Sequence, residues 1–123
     1  MPDTSQTHQN TENTKALIAK TGPDNVLHIL HIFQSLNSEF PLQYAVCLLE
    51  IALNEGISLT ELANKAGMAL STVSRIVGAL STDRQKGLPY QLVEARIDPT
   101  NRRRKSLHLT KQGRTFIKKF TKN

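Results

Sequence analysis

The chain has 123 residues, 38% of them hydrophobic and 5% aromatic with no Trp, and a formal charge of +6 at pH 7. That length suits one domain with a tail, and a core drawn mainly from Leu, Ile, Val and Ala favours helices over a β-sandwich. No apolar run approaches the roughly 20 residues of a membrane span, and the opening MPDTSQTHQN lacks the layout of a signal peptide, so a cytoplasmic protein without a membrane partner is expected.

Residues 1–22 read as a disordered polar tail, because Thr, Gln, Asn and Ser bury too little surface to offset ordering entropy. Within it KALIAK allows at most one helical turn before Gly22-Pro23 stops it. Residues 23–123 read as the folded domain. Asp24 is placed to cap a helix over 24–38 with Val26, Ile29, Leu30, Phe33 and Leu36 facing inward. Pro41 then opens a helix from Leu42 to about Asn54, apolar round most of its circumference and so central. Cys47 lies within it with no second Cys to pair, and reads as a buried structural thiol.

Gly56 ends that helix, and Ile57-Ser58 has room for only a strand-like bridge. Residues 59–82 hold two short helices on either side of Gly67, the first capped by Ser58 or Thr60. After QKGLP the period changes from 3.6 to 2: Leu92, Glu94 and Arg96 alternate with Val93, Ala95 and Ile97, and Leu107 and Leu109 alternate with Ser106 and His108. These two strands and a loop at 98–104 make a hairpin over 92–109. Thr110 is placed to cap a last helix with Phe116, Ile117 and Phe120 inward and Lys118, Lys119 and Lys122 outward. The fold class is mainly α with a small β-hairpin.

The pair of helices around Gly67 carries the first functional signal. A helix-turn-helix needs a small residue where its helices nearly touch, a Gly four positions later at the turn, and branched residues seating the second helix. Ala63, Gly67, Val73 and Ile76 meet those needs, with Leu62, Ala66 and Leu70 completing the inner face. The second helix then offers Ser71, Thr72, Ser74 and Arg75 on its free face. Short donors and one long cation suit the floor of a DNA major groove, where Arg75 reaches a guanine's acceptor pair, although a hydroxyl at a helix start also serves as a cap. The charge agrees: residues 1–60 carry a net −4 and residues 61–123 a net +10, a one-signed half that attracts a polyanion.

The order of these elements, with STVSRIV in the second helix and LVEARIDPTNRRRKSLHLTKQGRTFI after it, resembles the winged helix-turn-helix of the MarR family over about residues 40–117. The resemblance implies a transcriptional regulator, a repressor acting as a homodimer on double-stranded DNA, with a recognition helix in the major groove and a wing arginine in the minor groove. Carried over by position, it assigns Ser71, Thr72, Ser74 and Arg75 to the major groove, and one of Arg102, Arg103 and Arg104, with Lys105 beside them, to the wing contact; Arg103 is the first choice. The family's tip Asp, two residues before that Arg, is Asn101 here, with Asp98 further back. Family members continue after LTKQG into long dimerisation helices, whereas this sequence ends at Asn123, so either the helix at 24–38 and the last helix are the dimer elements or the chain does not dimerise in the family manner.

Other chemistry finds little support. His28 and His31, one turn apart, lack the carboxylate or thiol neighbours of a metal site, and neither a cofactor nor a small-molecule effector is indicated. His108 reads as solvent- or phosphate-facing. With no phosphate loop or nucleophile elbow, an enzyme is not expected. The competing function is a winged-helix interaction module, such as a plasmid or phage replication accessory, whose basic face docks an acidic protein.

Overall fold

The computed structural model describes residues 22–82 and 90–121. The tail at 1–21, the QKGLP linker, and the cations Arg84, Lys86 and Lys122 lie outside them. Among the described residues the order is α1 (Pro23–Gln34), α2 (Leu42–Leu53), α3 (Leu59–Ala66), α4 (Leu70–Leu80), β1 (Val93–Asp98), β2 (Asn101–Leu109) and α5 (Lys111–Lys118). The strands form one two-stranded antiparallel sheet. This is a winged helix-turn-helix, as the periodicities require.

Helix α2 is the axis of the packing and contacts α3, α4 and β2. Its Cys47, Leu48 and Ile51 are fully buried beside Leu62, Val73, Ile76, Leu80 and Leu107, each such aliphatic side chain contributing about 1.5–3 kcal/mol. Its two ends are not central: Leu42 and Leu53 project into solvent. Cys47 is the expected buried thiol, and burial, with Glu50 nearby, pushes its pKa up from 9.0 to about 11.

Helix α1 departs from the reading of its sequence. Gly22 occupies the cap position, Pro23 is the first helical residue, and Asp24 sits in the first turn without capping it. A proline favours the first helical position because no hydrogen bond is lost there, which moves the start one residue earlier. The α-helix closes at Gln34, four residues short of Ser38. Ile29, Ile32, Phe33 and Leu36 pack on the core, whereas Val26 and Leu30 are 44% exposed.

Aromatic side chains fasten this helix to the rest. Phe33 stacks on Phe40 with ring centroids 5.3 Å apart and meets Phe116 and Phe120 at 5.4 Å. Phe40 in turn touches Tyr44 and Tyr90. All six aromatic residues of the chain, four Phe and two Tyr, thus share one cluster joining α1, α2 and α5.

Candidate nucleic-acid interface

The helix-turn-helix is built by its turn residues. Ser58 caps α3 and Glu61 reaches back, each accepting from the other's backbone N–H at 3.1 and 3.0 Å, a complete capping box. Hydrogen bonding by Ser58, through its backbone and then its hydroxyl, holds the Glu61 carboxyl below the ordinary range, with the charges of Arg104 and Lys65 adding to the effect. At the other end Gly67 closes α3 with φ +68°, a left-handed conformation that any Cβ disfavours, and the Met68 N–H returns to the Ala63 carbonyl at 3.0 Å.

Helix α4 buries Val73, Ile76, Val77, Ala79 and Leu80, which turns Ser71, Ser74 and Arg75 outward and leaves Thr72 half-buried. Ala69 stands at its cap, so neither Ser71 nor Thr72 spends its hydroxyl there. None of these four side chains has a hydrogen-bond or ion-pair partner among the described residues. Leu70, expected inside, is 51% exposed because it is the first residue of α4 and faces the wing rather than the core.

The wing grows from the end of α4. The Gln91 and Leu92 N–H groups donate to the Ser81 and Leu80 carbonyls at 2.9 and 2.8 Å, and Ile57 bridges Leu107 from the other side. Instead of a loop at 98–104 there is a tight turn at Pro99-Thr100. Asp98 pairs with Asn101 and Ile97 with Lys105, so Arg102, Arg103 and Arg104 form an irregularity in β2 with no opposite residues. A bulge of this kind re-aims side chains that an even ladder would alternate between two faces.

Two side chains shape the tip. Asp98 Oδ1 accepts from the Thr100 hydroxyl and N–H at 2.7 and 2.8 Å, and these bonds hold its carboxyl below the ordinary range. Asn101 Oδ1 accepts from the Arg103 N–H at 3.1 Å. Arg102, Arg103, Arg104 and Lys105 are exposed, and among the described residues Arg104 alone of the four is paired, its Nη2 lying 3.0 Å from Glu61 Oε1. Between the wing and the starts of α3 and α4 lies an open groove of about 530 Å³, lined by Ser58, Leu59, Thr60, Leu70, Ser74, Arg103, Arg104 and Lys105. Of the predicted site residues, Ser74 of the helix and Arg103, Arg104 and Lys105 of the wing line this cationic recess, whereas Ser71, Thr72, Arg75 and Arg102 lie outside its lining.

A clamp at the wing root is missing from the sequence reading. Glu55 Oε1 accepts from the Leu109 N–H at 3.0 Å and from Arg114 Nη2 at 3.1 Å, and His108 Nδ1 lies 3.9 Å away. His108 is accordingly half-buried against the core, not turned to solvent as expected. No pattern in the sequence pairs residues 54 positions apart. His28 Nε2 meets the Lys119 carbonyl at 3.1 Å, which ties α1 to the end of α5.

The helix-turn-helix portion matches a known family model, the IclR helix-turn-helix domain, over residues 23–84. No curated protein sequence matches the chain. Solved structures share the fold. A mutant of Staphylococcus aureus MepR bound to an oligodeoxyribonucleotide superposes with TM-score 0.64 at 16% identity, covering 87% of this chain and 72% of its own. The transcriptional regulator Tm0710 of Thermotoga maritima gives 0.65 at 21% identity, covering 89% and 70%. The MarR-family transcription regulator SP03579 gives 0.58 at 16%, covering 94% and 73%. The fold is that of MarR-family winged-helix regulators.

Proposed function

This chain belongs to the IclR helix-turn-helix domain family, and on that premise we propose that it is a DNA-binding transcriptional regulator, a repressor that recognises a preferred double-stranded site. The observation that carries the reading is a groove in which Ser74, from the unpartnered Ser/Thr/Arg face of α4, stands opposite the bulged arginine wing. In it, α4 lies in the major groove, where Ser71, Thr72 and Ser74 donate to phosphates or base edges and Arg75 addresses a guanine. The wing lies on the adjacent minor groove with Arg103 leading, and the recess between them takes the strand that separates the two grooves. MepR, similar in fold, is seen bound to an oligodeoxyribonucleotide. The role is binding rather than catalysis, and the site of action is the cytoplasm.

We assign the active species to a homodimer on an inverted repeat, joined through α1. Val26, Leu27 and Leu30 are all about half exposed there, and Leu27 and Leu30 with Leu42 border an apolar groove of about 300 Å³. Stripes that a monomer leaves in water are surfaces for a partner.

Selection of bound duplexes from a random pool tests the reading. A preferred site is expected, with affinity of the dimer falling roughly 10⁵-fold between 50 and 200 mM salt if each protomer neutralises about five phosphates. Arg75→Ala should cost about 1–3 kcal/mol at the preferred site and relax one position of it, whereas Arg103→Ala should weaken binding across sequences. Salt-insensitive binding, or a pool that returns no preference, sinks the proposal in favour of a protein-docking module.

A further inference from the structure

We propose that Arg104 is a positioning residue, tethered to Glu61 so that the wing stands at a fixed distance from the helix-turn-helix; the inference rests on the DNA-binding reading above. One carboxylate oxygen performs two tasks: Glu61 Oε1 accepts from the Ser58 N–H at 3.0 Å, completing the cap of α3, and from Arg104 Nη2 at 3.0 Å. The cap immobilises the carboxylate, so the anchor offered to the wing is rigid. The wing needs one there, since Arg104 lies in the stretch of β2 that the pairs Ile97 to Lys105 and Asp98 to Asn101 bracket but do not register.

Charge sharpens the point. The other acids near the tip are occupied locally, Asp98 by Thr100 and Glu94 by Arg96 at 2.7 Å. With Glu55 engaged at the wing root, Glu61 is the acid that meets the arginine stretch from another element, and on a surface meant for a polyanion it opposes binding by its charge alone. If positioning is its role, removing that negative charge weakens binding to DNA instead of strengthening it. Arg103 remains at liberty with Arg102 and Lys105, its N–H held by Asn101 and its guanidinium without a partner among the described residues.

The test uses the full chain with Glu61→Gln, Arg104→Gln and the double variant, because Gln also serves at this position of a capping box. Without DNA, hydrogen exchange at the amides of residues 101–105 should quicken to the same degree in all three. On a duplex selected by the wild type, Glu61→Gln should weaken binding about two- to fivefold, the range of one exposed ion pair, and Arg104→Gln should match it with the salt slope unchanged. The double variant should be no worse than either single one. Tighter binding by Glu61→Gln, unaltered wing exchange, or a slope reduced by about one in Arg104→Gln would overturn the proposal and make Arg104 a phosphate contact. Coincident loosening of the wing in a protein without DNA affinity would support the tether while removing the function it rests on.

Discussion

Gly113 shows how one missing side chain can hold a junction together. It is buried in the first turn of α5, and a Cβ built there would collide with the Leu92 carbonyl oxygen, which itself accepts from the Thr110 N–H at 3.0 Å. Gly113→Ala should therefore lower stability by roughly 1–3 kcal/mol despite the usual preference of helices for Ala, measured as a fall in denaturation midpoint. A rise in stability would mean that the wing root yields easily. Cys47 makes a second prediction. With its pKa at about 11, on the order of one thiol in a thousand is ionised at pH 8, and native protein should resist alkylation that proceeds at once in denaturant. Since the folded pKa is raised, this group's contribution to stability is present below pH 9 and is lost as pH rises through about 11, so the unfolding free energy should fall over that window.

Among the elements, those with local causes were legible. The cap residues Ser58 and Thr110, the glycine that ends α3, and the switch to period 2 act within a few residues, and each appears where expected, whereas α2 closes at Asn54 with Gly56 two residues beyond. Ser58→Ala should accordingly destabilise by about 1 kcal/mol, read by chemical denaturation. The same variant should loosen the hold on Glu61, so a control at Thr60, which is not the cap, should have little effect. What could not be read depends on distant partners. Helical spacing alone admitted both stripes of α1, and only the aromatic cluster around Phe33 chooses which faces inward. The arginine run reads as a loop because polar residues alternate with nothing; its placement in β2 comes from the tight turn that Asp98 and Thr100 make. Glu55 was invisible for the same reason, as its partners come from β2 and α5.

Across the whole molecule the two halves divide the work. The acidic half supplies α1 and α2, whose apolar outer stripes are the surface proposed for dimerisation, and the cationic half supplies the face proposed for DNA. Leu30→Glu should leave the fold intact, because that side chain is 44% exposed, yet convert a dimer at micromolar concentration to monomer by mass measurement. It should also abolish the preference for inverted repeats over single half-sites. An unchanged dimer mass would remove α1 from the interface.

The bridge between Ile57 and Leu107 makes the hairpin a short lever whose fulcrum is set in the core. Leu107 faces Ala95, and Asp98 lies three residues further out, so the free arm is about 10 Å before the turn. Over that arm a swing of roughly 17° carries the tip about 3 Å, half the ~6 Å width of a minor groove. For a wing that reads DNA, the tolerance on alignment is thus an angular one, set at the root by Glu55 and midway by Glu61 rather than by the arginines at the end.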